Sequence, residues 1–142
     1  MILSNELLFL AAEKTALADA TGDYARKVVV LVLEEPQTLS NREFLGKVLA
    51  AAQLDLQRDT LLGEIPGWEP RAIAPDLQEF KPACLLIFGL TPSQLGLVVE
   101  PQAYQPLNFL NCTWLFADKL SSIEMDKAKK TQLWSALKQM FL

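Results

Sequence analysis

The sequence has no histidine and only two cysteines, Cys84 and Cys112, in 142 residues. Without histidine, neither a Ser-His-Asp triad nor a Cys-His dyad can form, and imidazole cannot ligate a metal. Two cysteines exclude a four-cysteine metal or iron–sulfur site and a disulfide framework. Neither cysteine has a basic residue directly beside it to activate its thiol, so we expect both to be structural core residues.

Long hydrophobic runs and a large charge excess are also missing. The chain carries 13 basic and 17 acidic residues, a net charge of −4, and is 51% apolar, which excludes a disordered protein. No stretch approaches the ~20 apolar residues that cross a bilayer. The short apolar run 7–12 follows Glu6 instead of a basic segment, so it does not resemble a secretion signal. We expect a cytoplasmic protein without membrane association.

Basic residues form no broad cluster. Residues 34–82 contain nine acidic and five basic residues, and residues 83–142 contain four and five. The lysines at 127, 129 and 130 are typical of a solvated helix face. Proteins that bind nucleic acid alone usually present a basic surface, because phosphate neutralisation supplies most of their affinity. We therefore expect no strong direct nucleic-acid binding. Trp68, between Glu64 and Glu69, lies in an acidic setting that disfavours stacking against bases.

Hydrophobic patterning predicts buried strands that alternate with helices. Residues 28–33 and 83–88 are apolar without polar alternation, as a strand buried on both faces requires. Residues 40–43 match a capping box, which predicts a helix over 41–53. The other predicted elements are a helix over 5–19, a strand over 59–65, a helix over 76–81, a helix start at 91–94 with an N-cap, Pro92 at the first helical position and Gln94 closing a capping box, a hairpin over 104–117 that turns near Leu110 and Asn111, and a final helix with Leu133, Trp134, Leu137, Met140 and Phe141 on one stripe.

This alternation favours a single α/β domain over residues 1–142, built as a three-layer α/β/α sandwich around a mainly parallel sheet. In such sheets, ligands bind beyond the carboxyl ends of the strands. Because the two predicted buried strands, 28–33 and 83–88, both end in polar loops, we expect any ligand pocket to lie at this edge of the sheet. The residues gathered at that edge are Glu34, Glu35, Gly89, Thr91, Ser93, Asp118, Ser121 and Ser122.

The chemistry of that edge is limited. Glu34 and Asp118 are candidate acid–base groups, although acidic residues also collect there to stabilise helix N-termini. Adjacent residues at a strand end point in opposite directions, so Glu34 and Glu35 should not share a site. The turn at 89–93 lacks the glycine and lysine pattern of nucleotide-binding loops. We expect no cofactor and no metal.

Five segments, taken in order, resemble the uracil-DNA glycosylase superfamily over about residues 28–141. They are the strand and Glu-Glu-Pro loop at 28–36, Phe-Leu-Gly-Lys-Val-Leu at 44–49, Lys-Pro-Ala-Cys-Leu-Leu-Ile-Phe-Gly at 81–89, Trp-Leu-Phe-Ala-Asp-Lys-Leu-Ser at 114–121, and Lys-Thr-Gln-Leu-Trp-Ser-Ala-Leu at 130–137. The resemblance implies the glycosylase-like fold for this core.

The same resemblance implies loss of catalysis. The His-Pro-Ser histidine of the family is missing, and Glu35-Pro36-Gln37 stands where the enzymes carry a water-activating Asp or Asn. The base-reading Asn has no counterpart in residues 61–66. A glycosylase needs such groups to hold the extruded base, so no catalytic residue is carried over.

The missing motifs and the closing Leu-Trp-x-x-Leu helix resemble one non-catalytic branch, the psi subunit of the bacterial DNA polymerase III clamp loader. In that branch a segment preceding the core binds a partner subunit. By analogy, residues 1–22 either pack on the sheet as a helix or bind a protein partner through Leu7, Leu8 and Phe9.

The sequence thus favours a non-catalytic protein-interaction module, psi-like and linked to DNA replication or repair. The alternative is a small enzyme or ligand-binding domain that uses carboxylates at the carboxyl edge of the sheet. An open pocket lined by Glu34 with Ser93 or Asp118 would favour the alternative, whereas an edge filled by apolar side chains would favour the interaction module.

Overall fold

The computed structural model describes residues 15–142, which form a mixed α/β fold around a five-stranded sheet. The strands are β1 (Val28–Leu33), β2 (Thr60–Ile65), β3 (Cys84–Phe88), β4 (Leu107–Phe109) and β5 (Cys112–Ala117). The helices are α1 (Thr38–Ala51), α2 (Leu56–Asp59), α3 (Ala74–Phe80), α4 (Leu120–Glu124) and α5 (Lys127–Phe141).

The strand order is β2-β1-β3-β5-β4, and every neighbouring pair is parallel except β4 with β5. The predicted α/β class with a mainly parallel sheet is therefore confirmed. The hairpin is also confirmed: Leu110 and Asn111 connect β4 to β5 with φ values of 53° and 64°. Positive φ at both central residues is typical of the two-residue turns that match strand twist.

Burial of β1 on both faces organises the sheet. Val30 lies between Leu62 of β2 and Leu86 of β3, and is 0% exposed. Val28, Val30 and Val32 belong to one apolar cluster, whereas Val29 and Leu31 belong to another on the opposite face. Each face of a strand without polar alternation needs its own apolar cover, as the sequence predicted.

Helices α1 and α5 cover the first face with Leu45, Leu49, Leu133 and Leu137. The second face is covered by Leu77 and Phe80 of α3 and by apolar residues of the connecting segments, namely Ala16, Leu17, Ile73, Leu90 and Leu95. Trp114 of β5 is fully buried in this second cluster, and its indole Nε1 donates to the Phe109 carbonyl at 2.7 Å. Since both faces of the sheet are covered by apolar residues, the polar loops converge at the edge beyond the carboxyl ends of the strands.

The predicted capping box at 40–43 is wrong. Helix α1 begins at Thr38 after Gln37, and no side chain caps it. The helix begins early because its first turn is tied to the preceding loop: Thr38 Oγ1 donates to the Glu35 carbonyl at 3.1 Å, and Asn41 Nδ2 donates to the Glu35 carboxylate at 2.9 Å. Ser40 is therefore inside the helix and exposed.

The predicted helix over 5–19 falls mostly on residues 1–14, which lie outside the described residues. Its described end, 15–19, is not helical. Thr15 forms a parallel bridge with Ala72, and the Leu17 amide donates to Asp76 Oδ2 at 3.0 Å. Backbone amides that donate to α3 or to the segment just before it are not available for the hydrogen bonds of a helix. Thr21 then pairs with Leu62, which covers the outer edge of β2.

Asp76 is a buried carboxylate that holds this N-terminal segment, and we predict that it makes stability depend on pH. Burial raises the pKa of Asp76, because desolvation penalises its charged form. Its contribution to stability is then full below the ordinary aspartate pKa, about 4, and is lost as the pH rises through the raised folded value. In urea unfolding between pH 4 and pH 7, the free energy of unfolding of wild type should fall relative to that of Asp76→Asn. A difference that stays constant or grows with pH would contradict this.

A substitution at Gly89 tests how closely the residues at the end of β3 are packed. Its φ is +79°, and a Cβ there would lie 2.8 Å from the Lys119 Cβ and 3.0 Å from the Leu33 Cβ. We expect Gly89→Ala to lower the free energy of unfolding by about 1–3 kcal/mol. Gly46→Ala is the matched control, because a Cβ at that position of α1 meets nothing within 4 Å. It should raise stability by about 0.5–1 kcal/mol. Equal effects of the two substitutions in urea unfolding would refute the prediction.

Candidate functional site

The candidate site is the carboxyl edge, where the loops after β1, β2, β3 and β5 converge. The first loop carries Glu34 and Glu35, the second contains the turn at 66–69, the third begins at Gly89, and the fourth runs through Asp118 into α4. Ligands of open parallel sheets bind at this edge because the following helices leave a crevice there. The question for this chain is what fills the crevice.

Glu35 joins three elements at this edge through what we call the edge latch: Glu35, Asn41 and Ser121. The Ser121 hydroxyl donates to Glu35 Oε1, and the Ser121 amide and Asn41 Nδ2 donate to Oε2 at 3.3 and 2.9 Å. The latch connects the loop after β1 with α1 and α4. Both carboxylate oxygens of Glu35 are thus engaged in bonds within the protein.

Glu34 lies apart from the edge latch. Its side chain is exposed, and its backbone amide donates to the Ile65 carbonyl at 2.9 Å, which extends the β1–β2 ladder by one step. Alternation along the strand therefore sends the two neighbouring carboxylates to different surroundings. Among the described residues, no hydrogen bond joins Glu34 to Ser121.

Leu33, the last residue of β1, is half-buried and lies between the loops that follow β2 and β3. A Cβ on Gly67 would lie 3.1 Å from Leu33 Cδ1, and one on Gly89 would lie 3.0 Å from the Leu33 Cβ. The two glycines let the neighbouring loops approach this side chain from either side. Gly89 also donates its amide to the Ala117 carbonyl at 2.9 Å, so this amide is not available to an anion.

Asp118 is bound to Tyr104 and Lys129. The Tyr104 hydroxyl donates to Asp118 Oδ2 at 2.6 Å, and Lys129 Nζ lies 3.6 Å from the same oxygen. Burial and then the hydrogen bond to Asp118 raise the pKa of Tyr104 well above its ordinary value. Asp118 therefore joins the segment before β4 to α5 and makes no hydrogen bond to a member of the edge latch among the described residues.

Thr91, Ser93 and Ser122 complete the predicted set. Thr91 Oγ1 accepts from the Gln94 amide at 3.2 Å as predicted, but Gln94 does not close the predicted capping box, because its side-chain Nε2 donates to the Pro66 and Glu69 carbonyls. The turn that follows is three residues of 3-10 helix, Ser93–Leu95, and Ser93 is exposed. The Ser122 amide donates to the Lys119 carbonyl at 3.0 Å. Of the predicted edge residues, which all lie in the described part of the chain, only Glu35 and Ser121 are joined by a side-chain hydrogen bond.

A small cavity lies beside the edge latch. Its volume is about 10 Å³, and Val32, Thr38, Leu45, Glu64 and Leu120 contribute to its lining. Asn41 also lines it and is 6% exposed, and its Oδ1 is the one buried side-chain N or O atom of the described residues without a hydrogen-bond partner. This space matches one water molecule, since a hydrated cavity needs about 10–15 Å³. Drug-sized ligands occupy about 300–1,000 Å³.

Wider depressions lie elsewhere. One of about 380 Å³ surrounds the β4–β5 turn near Asn108 and Asn111, at the opposite end of the sheet. Another of about 360 Å³ runs between α1, near Gly46 and Ala50, and the segment at 54–57. Neither includes a residue of the predicted edge site. The predicted partner-binding residues Leu7, Leu8 and Phe9 lie outside the described residues.

Sequence reasoning missed Asn41, Tyr104 and Gln94. Asn41 was read as part of a capping box, although an Asn on the apolar side of α1 was a usable signal of a buried polar contact. Tyr104 lies in a loop without periodicity, and Gln94 lies in the 3-10 helix Ser93–Leu95, where the pattern predicts a capping box instead of a contact with a distant loop. Their contacts with Asp118 and with residues 66 and 69 span 14 and 25–28 residues of sequence, so no local pattern reveals them.

No protein-family model matches the chain, and no curated protein matches it at a significant level. Among residues 15–142, no helix has the length and apolarity needed to cross a membrane. In that same part of the chain, no three His, Cys, Asp or Glu side chains are grouped as a metal site would require.

The edge latch predicts a stability difference between adjacent serines. Ser121→Ala removes a hydroxyl that donates to a part-buried carboxylate, and hydrogen bonds to charged groups contribute about 1.5–3 kcal/mol. We expect a loss near the lower end of that range in urea unfolding. Ser122→Ala is the control, since the structure shows only a backbone bond for Ser122, and it should change stability by less than about 0.5 kcal/mol.

Coupling to Glu35 makes this test specific. In a double-mutant cycle, Ser121→Ala should cost clearly less in the Glu35→Gln background, because the amide accepts a weaker hydrogen bond than the carboxylate. Additive losses would contradict the latch.

Proposed function

We propose that this chain is a non-catalytic protein-interaction module with a uracil-DNA glycosylase-like, three-layer α/β/α fold, and that it serves as a psi-like accessory subunit in DNA replication or repair in the cytoplasm. The parallel sheet, with apolar clusters on both faces, is compatible with that layered fold. The order of the five resembling segments along the chain supports the choice of family.

The occupied carboxyl edge is the observation that carries the proposal. A glycosylase must accommodate an extruded base and bind its polar edge, which needs an open pocket with unengaged polar groups. Here the Glu35 carboxylate is bound by Ser121 and Asn41, and Leu33 lies between Gly67 and Gly89. The adjoining cavity of about 10 Å³ has room for a water molecule and not for a nucleobase.

The alternative of a small enzyme or ligand-binding domain receives less support. It needs Glu34, Ser93 or Asp118 to line a common pocket. Glu34 and Ser93 are exposed, Asp118 binds Tyr104 and Lys129, and the cavity at this edge is lined by none of them. The arrangement at the edge favours a scaffold that acts through its outer surfaces.

The first test is uracil release. Single- and double-stranded oligonucleotides with one uracil are incubated with the full chain, beside an active glycosylase as positive control. We expect no release above buffer, because no described group is placed to activate water beside an open base pocket. Release that disappears in Glu34→Gln or Asp118→Asn would overturn the proposal.

The second test is assembly with the clamp-loader subunits of the same cell. The full chain should co-elute with them in size-exclusion chromatography. Changing Leu7, Leu8 and Phe9 together to alanine should abolish co-elution if the N-terminal segment binds the partner. Leu39→Ala is the matched control, since Leu39 is an apolar residue that is 80% exposed on α1. Failure of the unchanged chain to co-elute would remove the replication role.

A further inference from the structure

One buried acceptor of the edge latch has no hydrogen-bond partner within the described part of the chain. Asn41 is 6% exposed, and the unpartnered atom is its Oδ1. The orientation of this amide is fixed, because Nδ2 donates to Glu35 Oε2 at 2.9 Å and exchanging the two atoms would set an amide oxygen against a carboxylate oxygen. Since buried polar atoms in folded proteins are almost always paired, Oδ1 requires a donor.

The space for that donor is the cavity of about 10 Å³ beside the edge latch, which Asn41 lines. A cavity this small brings its lining groups into contact with a single small molecule. Its polar lining comes from Thr38, Asn41, Arg42 and the carboxylates of Glu35 and Glu64. A buried water needs about 10–15 Å³ and a few polar partners, and both conditions are met here.

A water molecule fits these groups better than a metal cation does. Glu64 Oε1 lies 3.4 Å from Arg42 Nη2, so a guanidinium already balances one of the two carboxylates. Both oxygens of the other carboxylate, that of Glu35, accept hydrogen bonds from Ser121 and Asn41. Mg²⁺ and Ca²⁺ need about six oxygen ligands or more, which this lining does not offer. Water supplies two donors for the acceptors and accepts from the guanidinium.

We propose that one resident water molecule binds in this cavity and donates hydrogen bonds to Asn41 Oδ1 and to the Glu64 carboxylate. Because Asn41 belongs to α1 and Glu64 to β2, this water bridge extends the edge latch to a fourth element. Apolar side chains of Val32, Leu45 and Leu120 form the remaining walls, so the water is held in one position by its polar partners. The inference does not depend on the proposed function.

The direct test is a high-resolution crystal structure of the full chain. We expect a single density peak about 2.5–3.0 Å from Asn41 Oδ1, and at a similar distance from a Glu64 oxygen. A second crystal, grown with rubidium and manganese chlorides, should show no anomalous peak in the cavity. An empty cavity, an anomalous peak there, or an Arg42 guanidinium that itself donates to Oδ1 would overturn the inference.

Val32→Ile tests the water in solution, because Val32 lines the cavity and the added methyl group competes for the same space. In a dry cavity, the methyl group would fill empty space and stabilise the fold. In a hydrated cavity, it displaces the water and leaves Asn41 Oδ1 without a donor. We therefore expect the unfolding equilibrium constant, measured by urea unfolding, to rise roughly tenfold.

A double-mutant cycle separates this effect from simple overpacking. In the Asn41→Leu background the acceptor is gone, so Val32→Ile should raise the unfolding constant by less than about threefold. Val30→Ile is the matched control, since Val30 lies on the same face of β1, is 0% exposed and does not line the cavity. Its effect should be equal in the two backgrounds. Stabilisation of wild type by Val32→Ile, or an equal cost in both backgrounds, would refute the water bridge.

Discussion

Burial of β1 on both faces is the constraint on which the rest of the structure depends. Val29, Val30 and Leu31 are all 0% exposed, and their side chains alternate between the two apolar clusters. Each cluster needs a cover, which α1 and α5 supply on one side and α3 with the connecting segments on the other. Polar groups are excluded from both faces, so they collect at the strand ends.

A second constraint acts at the strand ends, because polar side chains that come together there must form hydrogen bonds or ion pairs. Glu35 binds Ser121 and Asn41, Asp118 binds Tyr104 and Lys129, and Gln94 binds the backbone of the turn at 66–69. The contacts of Glu35 with Ser121, of Asp118 with Tyr104 and of Gln94 with this turn join segments that follow different strands. The edge therefore becomes a set of cross-loop bonds around Leu33, which stabilises the fold and leaves little internal space.

Closing the interior of the edge shifts any recognition to its outer surface. The bonds of Gln94 and Arg71 also hold the turn at 66–69, whose Trp68 side chain is exposed. The cavity at this edge is too small for an extruded base, which a glycosylase must admit.

The sequence by itself determined the α/β class, strands at 28–33, 59–65 and 83–88 that the structure shows within one residue of these bounds, and the Leu110–Asn111 turn, because these follow from local hydrophobic period and turn chemistry. It also placed Glu35 and Ser121 at one edge. Only the tertiary structure decided where α1 begins, that residues 15–19 bind Ala72 and Asp76 instead of forming a helix, and that the Gln94 side chain bonds to the turn at 66–69. Those outcomes depend on contacts between residues far apart in the chain, and a local pattern carries no record of which distant donor reaches a given acceptor.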